Sequence, residues 1–271
     1  MKTTKTQTIF SMLLLCVCSY SQTSTEEKES EALRSKLKVK SITLMQSEYG
    51  YVKGEWVAKS ANKVAKTIYN KKGGDIEEIS YTQRGTIENW AVYEYDSKGN
   101  YSKMTFKKSD GTTAFVAKHR NVYDSIGRLK EIFIYQKDTV PANKIDYSYD
   151  SKGNMYKFRK YKPVYSFKGA SDENGTYEGK FSLIESQGYK FDDKGRTIQT
   201  TFYADDFLNV DDGYTGKIDF KYDAKGKLAE KIGDYRYVYK YGANGLETEY
   251  TAYDNKDRPV VTVKYVYEFN Q

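Results

Sequence analysis

The sequence predicts an all-β protein: an antiparallel sheet of successive β-hairpins, curled or sandwich-like, with at most a short N-terminal helix. Three observations predict it. A phrase of aromatic, any residue, aromatic, Asp, two residues and Gly recurs along the chain. Between its copies, aromatic residues alternate with polar ones. Beyond about residue 38, no long stretch sustains a helical period. The composition agrees: of 271 residues 28 are Tyr, against 12 Phe and 2 Trp, while hydrophobic residues reach only 38%. That is too polar for a polytopic helical membrane protein and too aromatic for a disordered chain.

The N-terminus comes first. Residues 1–12 carry Lys2 and Lys5 and no acid, and a short apolar run, Leu13 to Cys18, ends at Ser19-Tyr20-Ser21-Gln22. This is the pattern of a secretory signal peptide, residues 1–21, cut after Ser21. The run is too short to cross a bilayer as a helix. Cleavage removes Cys16 and Cys18, so neither disulfide nor thiolate chemistry is expected, and it lowers the formal charge of +7 by two. Neither Cys follows a small residue, which argues against lipoprotein processing. The expected address is export to the periplasm, cell surface or extracellular space, with no transmembrane helix after cleavage. Positive charge is spread rather than clustered, so no nucleic-acid surface is expected. Residues 22–37 are charged and mostly non-aromatic, and read as a tether with one or two helical turns near Glu29–Leu37. Residues 38–271 are the repeat β domain.

The fullest copies of the phrase end in Tyr95-Asp96 to Gly99, Tyr123-Asp124 to Gly127, Tyr149-Asp150 to Gly153, Phe191-Asp192 to Gly195 and Tyr222-Asp223 to Gly226. Weaker copies stand at Tyr239–Gly245, Tyr69–Gly73, Tyr81–Gly85 and Tyr253–Asp257. Aromatics two apart lie on one face of a strand. Asp at the first position of a type I turn accepts hydrogen bonds from the turn's N–H groups. Gly three residues later takes the left-handed conformation that closes a bulged hairpin, where a Cβ is strained. Two residues further on an apolar side chain returns, as at Tyr101, Leu129, Met155 and Leu228, with Thr197 as the exception. Spacing between copies is unequal, so this is a repeat of hairpins and not a strict solenoid. Tyr suits such a sheet because it gives a large packing area while its hydroxyl still meets water.

The repeated Tyr-Asp-x-x-Gly phrase, spread over Tyr69 to Asp257, resembles the YD-repeat (RHS-like) proteins, especially small secreted bacterial members. The large members wind such hairpins into a hollow shell around a toxin domain. This chain has too few copies for such a shell and no toxin-like C-terminal domain. The resemblance implies a non-catalytic β scaffold at the cell envelope or outside the cell.

No constellation points to an enzyme or a cofactor. His119 stands alone, without a G-x-S-x-G or a second imidazole, and reads as an ordinary loop or strand residue. The turn Asp residues account for the carboxylates that glycosidic cleavage would need. The acidic stretch Asp205–Gly213 lacks EF-hand spacing and reads as a hairpin loop rather than a metal site. Gly169–Gly175 reads as another long loop, and the N-x-S/T matches at Asn100 and Asn174 carry no weight. The alternating tail Val261–Phe269 matches the last strand of an outer-membrane barrel, but lysines at mid-strand, Lys103 and Lys157, argue against that class. The candidate ligand surface is the stripe Tyr235, Tyr237, Tyr239 and Tyr241, which is either core or an exposed aromatic platform. The function expected is a binding or scaffold module for a glycan, an envelope polymer or a protein partner. An immunity- or chaperone-like partner of a secreted toxin is the alternative, and an envelope hydrolase comes third.

Overall fold

A computed structural model describes residues 25–136, 139–166, 176–204 and 214–271. The signal segment, both cysteines and the two loops at 169–175 and 205–213 singled out above lie outside the described residues.

Helix α1 (Thr25–Lys36) leads into β1 (Val39–Val52), a short β2 (Glu55–Ala58), β3 (Asn62–Tyr69), β4 (Asp75–Tyr81) and β5 (Ile87–Tyr95). Next come β6 (Tyr101–Lys107), β7 (Thr113–Tyr123), β8 (Leu129–Tyr135), β9 (Asn143–Tyr149), β10 (Met155–Ser166) and β11 (Thr176–Phe191). The chain ends with β12 (Thr197–Ala204), β13 (Tyr214–Tyr222), β14 (Leu228–Ile232), β15 (Arg236–Tyr241), β16 (Glu247–Tyr253) and β17 (Pro259–Phe269). From β3 to β17 each strand pairs antiparallel with the next, and both β3 and β17 pair with β1.

The sheet therefore closes on itself. It is a 16-stranded antiparallel barrel, with β2 as an extra strand folded back on the distal end of β1. This corrects the expectation of a curled or sandwich-like sheet. An open sheet leaves two edge strands with unpaired N–H and C=O groups. Here β1 and β17 satisfy each other, in register from Val39↔Phe269 to Glu48↔Val261.

Opposed residues on neighbouring strands share a face. One such row is Gln46, Val263, Tyr250 and Tyr239, in which Val263 is fully buried, so this face lines the interior. The alternate positions point outward and carry cross-strand ion pairs, such as Lys103–Glu94 and Lys240–Glu249, each at 2.7 Å. The densest packing sits on the inner face of β7–β10, where Ala117, Leu129, Ile132, Ile134, Ile145 and Phe158 form one cluster.

The repeat now has a geometric meaning. All five full copies, with those at Asn70–Gly73 and Gly242–Gly245, turn at the rim where β1 begins and β17 ends. The copies at Tyr81–Gly85 and Tyr253–Asp257 turn at the opposite rim. One phrase thus marks every second connection, and the unequal spacing reflects variable connections at the other end. The segment read as a tether is a helix docked on the repeat rim. Arg34 Nε donates to the Gly73 carbonyl at 2.8 Å, Ser35 Oγ donates to the Lys71 carbonyl at 2.9 Å, and the Arg34 guanidinium lies 4.6 Å from the Tyr69 ring centre.

Candidate functional site

At the repeat rim each turn Asp organises its own hairpin. Asp150 Oδ1 accepts from the backbone N–H groups of Lys152 at 2.9 Å and Asn154 at 2.8 Å. Asp96, Asp124, Asp192 and Asp223 do the same with the residues two and four further on. The matching Gly99, Gly127, Gly153, Gly195 and Gly226 all have positive φ, from 78° to 88°. Around Gly153 nothing lies within 4 Å of where a Cβ would sit, so backbone conformation alone sets the cost there. Gly153→Val is expected to lose roughly 1–3 kcal/mol of stability and Ser151→Ala almost none. Equal melting temperatures for the two variants would refute this turn geometry.

The residue two places past the turn Gly is buried at Tyr101, Leu129, Met155 and Thr197, the expected exception included. Its carbonyl also explains why the phrase uses Tyr. Tyr149 Oη donates to the Leu129 carbonyl at 2.7 Å, Tyr222 Oη to that of Thr197 at 2.8 Å and Tyr241 Oη to that of Leu228 at 3.0 Å. Tyr267 and Tyr95 bond the Glu247 and Asp75 carbonyls in the same way. The hydroxyls expected to meet water therefore stitch these hairpins to the ones before them, while Tyr123 bonds the turn carboxylate of Asp96 instead. The residue after the Gly adds a cation: Arg128 and Arg196 lie 4.6 and 4.4 Å over the rings of Tyr149 and Tyr222.

The four stripe residues do not share one strand. Tyr235 lies in the tight turn before β15, where the Gly233 N–H bonds its carbonyl, and Tyr241 lies beyond a bulge at the repeat rim. Tyr237 and Tyr239 stand at mid-strand and face inward. There they join Tyr250, Tyr265 and Tyr267 in one aromatic wall. Tyr250 is the hub, with ring centres at 6.0 Å from Tyr237, 5.7 Å from Tyr239 and 6.3 Å from Tyr265. These rings are half-buried, unlike the fully enclosed Phe158 and Ile145 of the β7–β10 wall. Burial first, then nearby carboxyl and phenol groups, raises the phenol pKa values of Tyr239 and Tyr265. The Glu247 carboxyl is buried in the same wall. Burial raises its pKa, against a hydrogen bond with Tyr265 and the charge of Lys231. The wall thus combines large aromatic faces with hydroxyls and one carboxyl.

The stripe was the legible part of this wall. Tyr250, Tyr265 and Glu247 were not marked by the sequence reading, because only the β15–β16–β17 register brings them beside Tyr239. His119 is on β7, facing inward opposite Ile134. Its ring nitrogens have no hydrogen-bond partner of good geometry. Burial pulls its pKa down to about 4, with the Tyr101 backbone offsetting this only in part.

No protein-family model matches this chain, and neither does any curated protein. Solved structures with some likeness include TcdB2-TccC3, at 12% identity and a TM-score of 0.31, over 83% of this chain but 14% of that one. A porin-like protein from Bacteroides uniformis matches at 13% identity and a TM-score of 0.33, over 85% of this chain and 98% of that one. A protein of unknown function from Bacteroides fragilis covers 57% of this chain at 13% identity and a TM-score of 0.26. At these scores the likenesses decide nothing about this chain's activity.

Proposed function

We propose that this chain is an exported, non-catalytic binding module of the YD-repeat kind, which presents an aromatic barrel wall to a glycan, an envelope polymer or a protein partner. The observation that carries the proposal is the inner wall of Tyr237, Tyr239, Tyr250, Tyr265 and Tyr267, whose rings are half-buried, Tyr237 and Tyr250 resting on the small buried cluster of Ala252, Val261 and Val263. Barrels of sixteen or more strands have interiors wider than their side chains fill. Aromatic faces with hydroxyls at their edges suit stacking on sugar rings or on a partner's apolar surface. The outward faces carry Lys–Glu pairs instead of the apolar band of a membrane-spanning barrel, which supports a barrel standing in water. The repeated Asp–Gly turns and their resemblance to YD-repeat proteins support an extracytoplasmic role.

The test is a glycan array probed with the full chain, followed by titration calorimetry on the strongest neutral oligosaccharide. Tyr237→Ala with Tyr239→Ala is expected to abolish that binding while the far-ultraviolet spectrum stays that of a β protein. Tyr237→Leu with Tyr239→Leu keeps apolar bulk should the alanine pair unfold. A folded variant of either kind that binds like the parent would place the site elsewhere and overturn this reading.

A further inference from the structure

Among the described residues, many outward lysines of the barrel pair with carboxylates, while others, such as Lys107 over Trp90, rest on aromatic rings. The pairs include Lys66 with Glu268 at 3.2 Å, Lys144 with Glu131 at 2.8 Å, and Lys221 with Glu230 at 3.0 Å. On β10–β13 lysines outnumber the carboxylates that face them. The outward row there reads Lys157, Gly188, Thr201 and Lys217, with Lys190 two residues along from Gly188 and opposite Gln199. Among the described residues Lys157 and Lys190 have no ion pair. Lys217 is committed to Asp219, at 3.0 Å.

The same place is where the wall is hollowed. Gly188 puts no side chain on the outer face between Lys157 and Thr201, and an open groove of about 700 Å³ lies over it. Its floor is peptide backbone. Ser186 and Thr201 offer hydroxyls, Gln199 offers its amide carbonyl while its Nε2 donates to Asp219 Oδ1 at 2.8 Å, and Tyr203 and Tyr156 stand at its edge, Tyr156 being 44% exposed. The φ of Gly188 is not in the left-handed region, so backbone geometry does not demand a glycine here, but a Cβ would stand 3.1 Å from Thr201 Oγ1, and Thr201 must give way to any side chain placed there. Lys157, Lys190 and Lys217 face the single carboxylate of Asp219, on which the charge of Lys190 also acts, so a net positive charge, hydrogen-bonding groups and aromatic faces converge on this gap.

We infer that this outer groove binds an acidic saccharide, with Lys157 and Lys190 taking its anionic groups, Thr201 and Gln199 its hydroxyls, and Tyr203 or Tyr156 the face of a sugar ring. Cations alone would hold any polyanion. The added aromatic edges and short polar side chains favour a carbohydrate, because sugar rings offer an apolar face and many hydroxyls to one surface. A carboxylate on a uronic acid and a sulfate or phosphate ester on a sugar present the same chemistry to the two lysines. The groove is on the opposite face of the wall from the tyrosines discussed above, and the inference does not rest on them.

The test is calorimetric titration of the full chain, in low salt, with three oligosaccharides of equal length: an oligogalacturonate, a sulfated glucan and the unmodified glucan. Inorganic phosphate alone is the fourth probe. Binding of at least one acidic oligosaccharide is expected, with the unmodified glucan at least tenfold weaker here. The arm that binds better tells carboxylate from ester. Lys157→Gln with Lys190→Gln is expected to weaken binding tenfold or more without changing the melting temperature. Gly188→Leu is expected to block it by filling the groove. Tyr237→Leu with Tyr239→Leu is expected to leave it unchanged. Equal binding of acidic and neutral oligosaccharides, no binding by either acidic probe, or unchanged affinity in the lysine pair would overturn the inference. Binding of inorganic phosphate as tightly as of the saccharides would reduce the site to a bare charge patch and overturn it too.

Discussion

Replacing Phe158 by Ala is expected to cost the barrel about 3–5 kcal/mol, the largest single-residue loss in the molecule. Phe158 is 2% exposed and packs inside the cluster of Leu129, Ile132, Ile134, Ile145 and Met155. Its ring centre lies 5.9 Å from that of Tyr147 on the neighbouring strand. Strand pairing holds this part of the wall on both sides, so it cannot collapse to fill the space left behind. Removing one ring of the tyrosine wall should cost less, because those rings keep exposed area that contributes little to burial. Urea unfolding of Phe158→Ala and Tyr239→Ala measures both. A Phe158→Ala loss below about 1 kcal/mol, or a larger loss for Tyr239→Ala, would mean the two walls have been assigned the wrong way round.

The second large effect is a loss of stability in mild acid, traced to His119. In the unfolded chain this imidazole titrates near its ordinary value of 6.5, whereas burial in the barrel holds it neutral down to about 4. Between those values the unfolded chain binds a proton that the folded chain refuses. Stability from this residue is therefore complete above pH 6.5 and is lost as the pH falls to about 4. The span corresponds to about 3 kcal/mol. The turn carboxylates add a separate loss at lower pH. Asp124 is held below its usual range first by Arg128, and Asp254, at about 2, first by Arg258. Unfolding free energies at pH 7.5, 6 and 4.5 should fall steeply for the native chain and stay nearly level for His119→Gln. Parallel curves for the two would show that His119 is protonated in the folded state.

Local chemistry was legible in the sequence and long-range chemistry was not. Asp150 and Gly153 announce their turn because both the acceptor and the positive φ are needed within four residues. Alternation marked most strands for the same reason. Closure leaves no such mark: β1 and β17 are paired although Leu44 and Tyr265 lie at opposite ends of the chain. An open curled sheet and a closed barrel share the same hairpins, and only the total turn of the strands separates them. The short charged segment before β1 showed its helical turns, but its docking depends on Gly73, where a Cβ would stand 2.1 Å from the Glu31 carbonyl. For the outer groove a signal existed in Gly188, a mid-strand glycine without a turn around it. The missing carboxylates opposite Lys157 and Lys190 could be noticed only once the strand register was known.

Closure is also the claim most directly measured. In a chain with Cys16 and Cys18 changed to Ser, Thr43→Cys and Val266→Cys place two thiols at directly opposed positions of β1 and β17. Neighbouring antiparallel residues at such positions lie within disulfide reach. Mild oxidation of the folded protein should give an intramolecular disulfide that runs faster on a non-reducing gel. Thr43→Cys with Lys157→Cys, on the far wall, should give none. Two free thiols in the Thr43–Val266 pair after oxidation, or only disulfide-linked dimers, would mean that the sheet is open and that the barrel does not exist.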